Sequence, residues 1–316
     1  MGTNGAAASP VASTIDDARP MPVSAAALAT LLCCLWGLAQ VAVKLANAGI
    51  SPIFHAGLRS IGATVLLLAW IWLRGIPVFR RDGTLPAGIA AGALFGAEFI
   101  CIYIGMNFTE VARATLMIYC APFIVAGLAH WLVPNDRLTP AKSIGLLAAF
   151  AGVVAAFADR VVAPDAAGLV GDLLCVLGAF FWGATTIVIK TTRLRAALPE
   201  KNLLYQLGVS AVMLMAAAGL VGEAGLFAPS PVVWISLAYT TIVIAGSSYL
   251  AWFWLVSRYR ATTLHAFTFL TPIAGVGFAH LLLDEPITPG LGIGLVLIAA
   301  GIVLVNREPR VAAIVD

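Results

Sequence analysis

Long apolar stretches follow one another along this chain and are separated by short polar turns. Each stretch approaches the roughly 20 residues that a helix needs to cross the hydrocarbon core of a bilayer. Because most connections are very short, we expect neighbouring helices to pack as antiparallel hairpins. The pattern predicts an all-α membrane protein with ten transmembrane helices, at 24–45, 52–73, 85–105, 111–133, 140–158, 168–189, 203–222, 231–255, 262–283 and 288–305.

The composition agrees with this interpretation. Hydrophobic residues make up 61% of the 316 residues and charged residues 10%, and the mean hydropathy is +0.99. Soluble domains carry about 25% charged residues, so this chain has too little polar surface to cover itself in water. We therefore expect the lipid bilayer as a partner and no nucleic acid.

Lysine and arginine are concentrated on one side of the predicted membrane. Of the 18 such residues, 14 fall in the two tails and the even-numbered connections, whereas Lys44, Arg113 and Arg160 fall on the other side. Cytoplasmic loops carry an excess of these residues. The bias predicts a multi-pass protein of the bacterial inner (plasma) membrane with both termini in the cytoplasm. Residues 1–22 are predicted to be a disordered cytoplasmic tail and 307–316 a cytoplasmic C-tail.

The chain contains an internal repeat. Residues 35–44 match 181–190 at an offset of 146, and residues 98–122 match 248–272 without a gap at an offset of 150. Each half has five predicted helices, an odd number, so the two repeats must be inverted with respect to each other. Inverted repeats that move around a site near the midplane are typical of secondary transporters. The two five-helix repeats are predicted at 23–160 and 161–306.

The second half has a specific resemblance to a known family. It contains a small and polar stretch, a Thr-Pro pair, an acidic turn and a glycine-spaced last helix, the first three at Ala261–His265, Thr271-Pro272 and Leu281–Pro286. It resembles an EamA-type member of the drug/metabolite transporter superfamily, and the first half repeats the pattern, with Asp136 in place of Glu285. The resemblance implies ten helices, alternating access and export of metabolites, in some relatives amino acids, including aromatic ones.

Pro122 and Pro272 occupy matched positions near the middle of the fourth and ninth predicted helices. Proline removes a backbone hydrogen bond and bends a helix, and the freed carbonyls must find a partner in a cavity or a neighbouring helix. We interpret the two prolines as hinges beside a solute cavity. The alternative is a static kink that serves packing alone.

Arg59 and Glu98 are the most deeply placed charges. Each lies seven residues from the same face of the membrane, which is roughly 10 Å of depth along a helix. A charge in the hydrocarbon region is costly unless it is paired or hydrated, so such residues are functional hypotheses by default. We expect an ion pair between them, which either fixes helix packing or leaves Glu98 to bind substrate or a proton.

Aromatic and polar residues fall near the middle of several predicted helices. Aromatic side chains that face lipid prefer the interfaces, so those at the midplane are expected to face protein or solute. An apolar pocket with a few placed polar groups suits a small amphiphile; each residue taken alone also fits plain bundle packing. The predicted substrate-binding residues are Trp36, Gln40, Glu98, Tyr103, Thr115, Tyr119, Trp182, Trp252, His265 and Phe269.

Lys44 and Lys190 end the two matched segments, and the inversion puts them at opposite faces. They are predicted gate residues that attract anionic groups such as carboxylates; the alternative is snorkelling toward lipid head groups. Glycines at Gly145, Gly152, Gly294 and Gly301 permit close helix packing or a homodimer face.

These features favour a secondary transporter that exports small neutral or zwitterionic metabolites, first of all amino acids including aromatic ones. The alternatives are an exporter of cationic amphiphilic drugs or dyes, a channel or scaffold, and an intramembrane enzyme. The sequence has no Walker-type phosphate loop, so we expect no direct use of ATP. It has no Cys/His cluster at metal spacing, and we expect no cofactor, metal or catalytic residue.

Overall fold

The computed structural model describes residues 21–161, 163–284 and 286–307. The two predicted tails lie almost wholly outside these residues, and Glu285 lies outside them as well. Within the described residues, ten helices are long and apolar enough to cross a membrane: α1 Val23–Ala46, α2 Pro52–Arg74, α3 Leu85–Gly105, α4 Val111–Leu132, α5 Pro140–Phe157, α6 Ala166–Thr191, α7 Pro199–Leu220, α8 Pro231–Arg258, α9 Ala261–Leu283 and α10 Pro289–Asn306.

Successive helices alternate in direction, so the helix ends fall on two faces. We call the face where α1 begins and α10 ends the tail face, and the other the opposite face. Because each half has five helices, α1 starts at the tail face and α6 starts at the opposite face. The prediction of an all-α fold with ten transmembrane helices in two inverted five-helix repeats is confirmed.

The two halves interdigitate, because the main helix contacts pair α5 with α10, α3 with α6, α2 with α7 and α1 with α9. Glycine makes the closest of these contacts possible. A Cβ added at Gly152 would lie 2.6 Å from the Gly294 carbonyl oxygen, and one at Gly105 would lie 2.8 Å from that of Gly171. Small residues let backbones approach in a bilayer, where apolar burial drives little association. The glycines considered for a homodimer face therefore join α5 to α10 within one chain.

The seventh helix begins earlier than its hydrophobic stretch suggests. It starts at Pro199 rather than 203, and its first turn includes Glu200, Lys201 and Asn202. Proline is well suited to the first helical position, where its missing N–H is not needed. Lys201 is buried against Asp82, with 2.8 Å between the ammonium and a carboxylate oxygen, so this polar turn is tolerated.

Three helices are irregular near the middle of the protein. Helix α4 is interrupted between Val111–Ile118 and Ala121–Leu132, just before Pro122, and α9 contains a 3₁₀ turn at Phe267–Phe269, just before Pro272. Both irregularities fall where proline removes a hydrogen bond. Helix α8 contains a π-helical segment at Tyr239–Ser248, a geometry often found at functional sites.

Candidate solute-binding cavity

A cavity of about 780 Å³ lies between the two halves, with residues from nine of the ten helices on its wall. Its mouth is formed at the opposite face by the ends of α1, α3, α4 and α9, including Lys44, Asn47, Met106, Glu110 and Leu283. No described residue at a tail-face helix end lines it. The cavity is therefore open toward the opposite face and closed toward the tail face.

Buried polar contacts lie beneath the closed end, and one of them, between Asp136 and Thr262, joins the two halves. The Asp136 carboxylate, which is fully buried, accepts hydrogen bonds from the Lys142 ammonium at 2.8 Å and from the Thr262 backbone N–H at 2.9 Å. It thereby caps the start of α9 in the other half. The Lys190 ammonium donates to the Tyr259 carbonyl at 2.5 Å, which joins α6 to the end of α8. We call these five residues the tail-face latch.

A second tail-face contact joins the connection before α3 to the start of α7. The Lys201 ammonium donates to the Asp82 carboxylate at 2.8 Å and to the Arg80 carbonyl at 2.9 Å. The hydrogen bond from Lys201, with a further one from the Thr84 hydroxyl, holds the pKa of Asp82 below its usual range. Asp82 remains 41% exposed, so water screens this pair.

The opposite face has a contact at the equivalent place. Both carboxylate oxygens of Glu223, in the connection after α7, accept backbone N–H groups at the start of α2, from Ile53 at 3.0 Å and from Phe54 at 2.6 Å. Each half therefore uses an acidic residue after its second helix to hold the first turn of the second helix of the other half. This contact occurs at both ends of the molecule.

Six aromatic side chains form one continuous surface of the cavity, and we call them the aromatic wall: Trp36, Phe95, Phe99, Tyr103, Tyr249 and Trp252. Neighbouring rings have centroids 5.0 to 6.1 Å apart, within the range of favourable aromatic pairs. The Trp36 indole N–H donates to the Ser248 hydroxyl at 2.8 Å, which fixes this ring against the π-helical segment of α8.

Arg59 and Glu98 lie on the cavity wall without touching each other. Arg59 is 5% exposed and Glu98 is 7% exposed. Within the described ranges, no nitrogen of Arg59 lies within 4.0 Å of a Glu98 carboxylate oxygen, so the direct ion pair expected from equal depth is not present in this structure. The guanidinium instead lies over aromatic rings, 4.7 Å from the centroid of Phe99 and 5.8 Å from that of Tyr249.

Several buried polar atoms of wall residues have no hydrogen-bond partner among the described residues. They are Nε and Nη2 of Arg59, Oε2 of Glu98, Oε1 of Gln206 and Oγ1 of Thr271. A buried polar group left unpaired costs about 1–3 kcal/mol, and more when it is charged. A basic and an acidic residue therefore lie on the cavity wall with hydrogen-bonding capacity that no described residue satisfies.

The structure brings most of the predicted site residues to this one cavity. Its wall includes Trp36, Gln40, Arg59, Glu98, Tyr103, Thr115, Tyr119, Trp182 and Trp252, with Lys44 at the mouth. It does not include His265 and Phe269, which are fully buried behind it. His265 lies between the rings of Trp182 and Trp252 and shares a 3.2 Å hydrogen bond with Thr186, and Phe269 packs among other phenylalanines.

The predicted hinge and gate residues lie around the cavity. Pro122 and Pro272 are buried beside it, each directly after the irregular turn of its helix, and neither side chain lines the wall. Lys44 is exposed at the open mouth, whereas Lys190 is 2% exposed under the closed end. The two matched lysines therefore occupy contrasting environments in one structure.

Sequence reasoning missed several lining residues, among them Phe95, Phe99, Gln206 and Tyr249. Gln206 had a usable signal, since α2 and α7 both begin at proline and Gln206 then stands where α2 has Arg59, at an offset of 147. The three aromatic residues had no such signal, because the sequence alone does not show which aromatic side chains on these helices face the cavity.

Comparison with known proteins gives a consistent family match. The model of the EamA-like transporter family matches residues 23–158 and 169–307. The "Uncharacterized transporter YoaV" of Bacillus subtilis (strain 168) is 25% identical over 85% of this chain and 91% of its own. A "Probable amino-acid metabolite efflux pump" of Escherichia coli (strain K12) is 25% identical over 87% of this chain and 92% of its own.

A solved structure gives the same fold. One crystal structure, 18% identical in sequence, superposes with a TM-score of 0.77 and covers 89% of this chain and 96% of that one. At this level of identity the likeness concerns the fold alone.

Proposed function

The chain belongs to the EamA-like transporter family, and on this premise we propose that it exports small zwitterionic or neutral metabolites, first of all amino acids including aromatic ones, by alternating access. The protein is a multi-pass membrane transporter. The substrate class, the direction and the mechanism are the parts that the proposal adds.

The observation that carries the proposal is one cavity between inverted halves, open at one face and sealed at the other. Alternating access needs a single site that is exposed to one side at a time, and inverted repeats supply it by exchanging the conformations of the two halves. A continuous pore would instead connect both faces. The volume of about 780 Å³ lies within the range of small-molecule sites, roughly 300–1,000 Å³.

The chemistry of the wall supports amino acids as the substrate class. The aromatic wall offers an apolar surface to a side chain, and the unpartnered atoms of Arg59 and Glu98 offer partners of opposite sign for a zwitterion. A relative that is named a probable amino-acid metabolite efflux pump adds a suggestion from similarity. The cationic drug or dye considered as the alternative is less well supported, because the Arg59 guanidinium already lies on the aromatic faces that would bind it.

The positive-inside bias supports the orientation. With 14 of the 18 lysine and arginine residues on the tail side, that face is proposed to be cytoplasmic in a bacterial inner membrane. The cavity then opens away from the cytoplasm. This state is the one from which an exporter releases its solute.

The test is counterflow in liposomes that contain the purified protein and a high internal concentration of one unlabelled amino acid. Labelled amino acids of aromatic, aliphatic, acidic and basic type are supplied outside, with and without a pH gradient. We expect transient accumulation of aromatic and other neutral amino acids, and little of the acidic or basic types. Accumulation of none of them, or non-saturating uptake of all of them, would contradict the proposal.

A further inference from the structure

We propose that Arg59 and Glu98 form a two-point site that holds the carboxylate and the ammonium group of one α-amino acid, while the aromatic wall takes its side chain. This inference rests on the proposed function and assigns a recognition role to each residue. The inference requires that both charged groups be available to a ligand, lie a suitable distance apart and be held in place. It also requires that each group discriminate against a ligand that leaves it unpaired.

Both side chains line the cavity and keep unsatisfied polar atoms. Each residue is more than nine-tenths buried, and among the described residues no partner is found for Nε and Nη2 of Arg59 or for Oε2 of Glu98. Charged residues inside a membrane are normally paired with each other or with backbone groups. Two side chains on one cavity wall that could pair but do not are explained if a solute completes both of them.

The two side chains are not in direct contact. Within the described residues, no nitrogen of Arg59 lies within 4.0 Å of a Glu98 carboxylate oxygen. An amino acid placed between them needs about 2.8 Å for the charge-assisted hydrogen bond at each end. Direct contact between the residues would close the site, so the gap is the feature that makes two-point recognition possible.

The site is held by three helices. The guanidinium of Arg59 on α2 lies close to the rings of Phe99 on α3 and Tyr249 on α8, and Phe99 directly follows Glu98. A planar guanidinium fixed over rings presents its remaining N–H groups in a defined direction, which suits bidentate binding of a carboxylate. Phe99 in turn stacks on Tyr103, with ring centroids 6.0 Å apart. Because the guanidinium is held in one orientation, we interpret its burial as serving the recognition of a ligand carboxylate.

Both charges are needed to select the ligand. An amine without a carboxylate leaves Arg59 unpaired, and an acid without an ammonium group leaves Glu98 unpaired. The equivalent positions in the second half hold Gln206 and Ser248, which are uncharged, so within the described residues the repeat does not create a second copy of this charge pair. The structure therefore predicts one zwitterion site, and both of its charged residues come from the first half.

The experiment measures competition in the counterflow assay with labelled phenylalanine. The competitors are unlabelled phenylalanine, 2-phenylethylamine, which lacks the carboxylate, and 3-phenylpropionate, which lacks the ammonium group. A site built to bind a polar group discriminates strongly against the analogue that lacks it, so we expect each analogue to bind at least about 100-fold more weakly than phenylalanine.

The variants separate the two roles. Arg59→Gln should weaken phenylalanine binding and bring 2-phenylethylamine to a similar affinity, while 3-phenylpropionate stays weak; Glu98→Gln should do the reverse. Arg74→Gln is the matched control, because Arg74 is an exposed arginine at the other end of α2 and should keep the wild-type ranking. If Arg59→Gln does not reach the membrane, Arg59→Lys keeps the charge without the bidentate geometry and should weaken phenylalanine while still rejecting the amine.

The outcomes distinguish this inference from the function beneath it. A wild-type protein that moves no amino acid overturns the proposed function. A wild-type protein that moves phenylalanine but binds either analogue equally well overturns the two-point site alone. The same conclusion follows if Arg59→Gln and Glu98→Gln relax the same analogue or neither.

Discussion

The two ends of the cavity are built from matched residues in contrasting environments. At the open end, Lys44 is exposed at the mouth and Gln40, one turn deeper, is exposed within the cavity. At the closed end, their equivalents at an offset of 146 are buried: Lys190 is 2% exposed, and Thr186, which borders the inner end of the cavity, is 3% exposed. Lys190 is fixed to the Tyr259 carbonyl and Thr186 is hydrogen-bonded to His265. The same sequence pattern thus occurs once at the open end of the cavity and once at its closed end.

This difference indicates how the protein reaches its other state, in which the cavity is open toward the tail face. If the halves exchange conformations, Lys44 and Gln40 become buried while Lys190 and Thr186 become exposed. A contact present at only one end can then decide between the states, whereas a contact present at both ends cannot. We assign the Lys190–Tyr259 contact to the first kind because it lies at the end where the lysine is buried, whereas the matched Lys44 is exposed at the other end. The contacts of Asp82 with α7 and of Glu223 with α2 belong to the second, because they hold equivalent places at the two faces.

The largest effect is expected from Asp136→Ala, which removes the centre of the tail-face latch. It leaves the Lys142 ammonium buried without its carboxylate and the start of α9 uncapped; breaking such a buried pair costs about 3–5 kcal/mol. The Asp136–Thr262 bond is the part of this contact that joins the two halves, so its loss should let the closed tail face open more often. Labelling of Gln40→Cys from the opposite face, with the native cysteines replaced, should fall at least about tenfold, since about 1.4 kcal/mol corresponds to a factor of ten.

The control for this variant is the double change Asp136→Ala with Lys142→Met. It removes the unpaired charge and should restore thermal stability, but the Thr262 N–H stays uncapped and labelling should stay below that of the wild type. Unchanged labelling in Asp136→Ala would show that the latch does not hold this state.

The next-largest effect is expected at the two matched lysines, whose replacement should shift the equilibrium between the two states in opposite directions. Lys190→Met removes a charged hydrogen bond from the state seen here, whereas Lys44→Met acts on the exchanged state, in which Lys44 is buried. A hydrogen bond to a charged group contributes about 1.5–3 kcal/mol, so each change should shift the equilibrium roughly tenfold. Lys190→Met should raise labelling of Thr186→Cys from the tail face, and Lys44→Met should lower it. Shifts in the same direction for both variants would break the comparison.

A smaller effect on rate is expected from the two prolines. Pro122→Ala and Pro272→Ala restore the missing N–H and should straighten the irregular turns that precede them, in α4 and α9. If both bends act as hinges, each variant should slow counterflow by about tenfold at an unchanged substrate affinity, since a barrier change of about 1.4 kcal/mol gives this factor. Counterflow rates and binding should be measured on the same preparations. Wild-type rates in both variants would identify static kinks.

The smallest effect is expected at the contact that occurs at both ends. Lys201→Met removes a partly exposed ion pair, which contributes less than about 1 kcal/mol, and should change the labelling ratio less than about twofold. The lowered pKa of Asp82 means that this pair is fully formed above the ordinary aspartate pKa, about 3.9, and is lost only as pH falls through the lower folded value. The effect of Lys201→Met should therefore be constant between about pH 5 and 8. A large or pH-dependent shift would place the pair among the state-selecting contacts.

Much of the fold follows from the sequence, because helix length, loop length and the offset between Trp36 and Trp182 need only local patterns. The site follows in part, since charges such as Arg59 and Glu98 stand out in an apolar chain. Whether these two charged groups touch each other does not follow from the sequence, because equal depth in the membrane does not fix the direction in which a side chain leaves its helix. The π-helical segment of α8 and the position of Phe269 behind the wall also depend on packing across the halves, which no local pattern encodes.

The central claim is that one cavity serves the two faces in turn. The most direct measurement is the labelling of Gln40→Cys and Thr186→Cys, each alone, from both sides of sealed liposomes with membrane-impermeant maleimides. The account predicts that Gln40→Cys reacts mainly from the opposite face and Thr186→Cys mainly from the tail face, and that Lys190→Met lowers the first reaction and raises the second. Equal reaction of both positions from both faces, unchanged by Lys190→Met, would show a continuous pore and contradict the account.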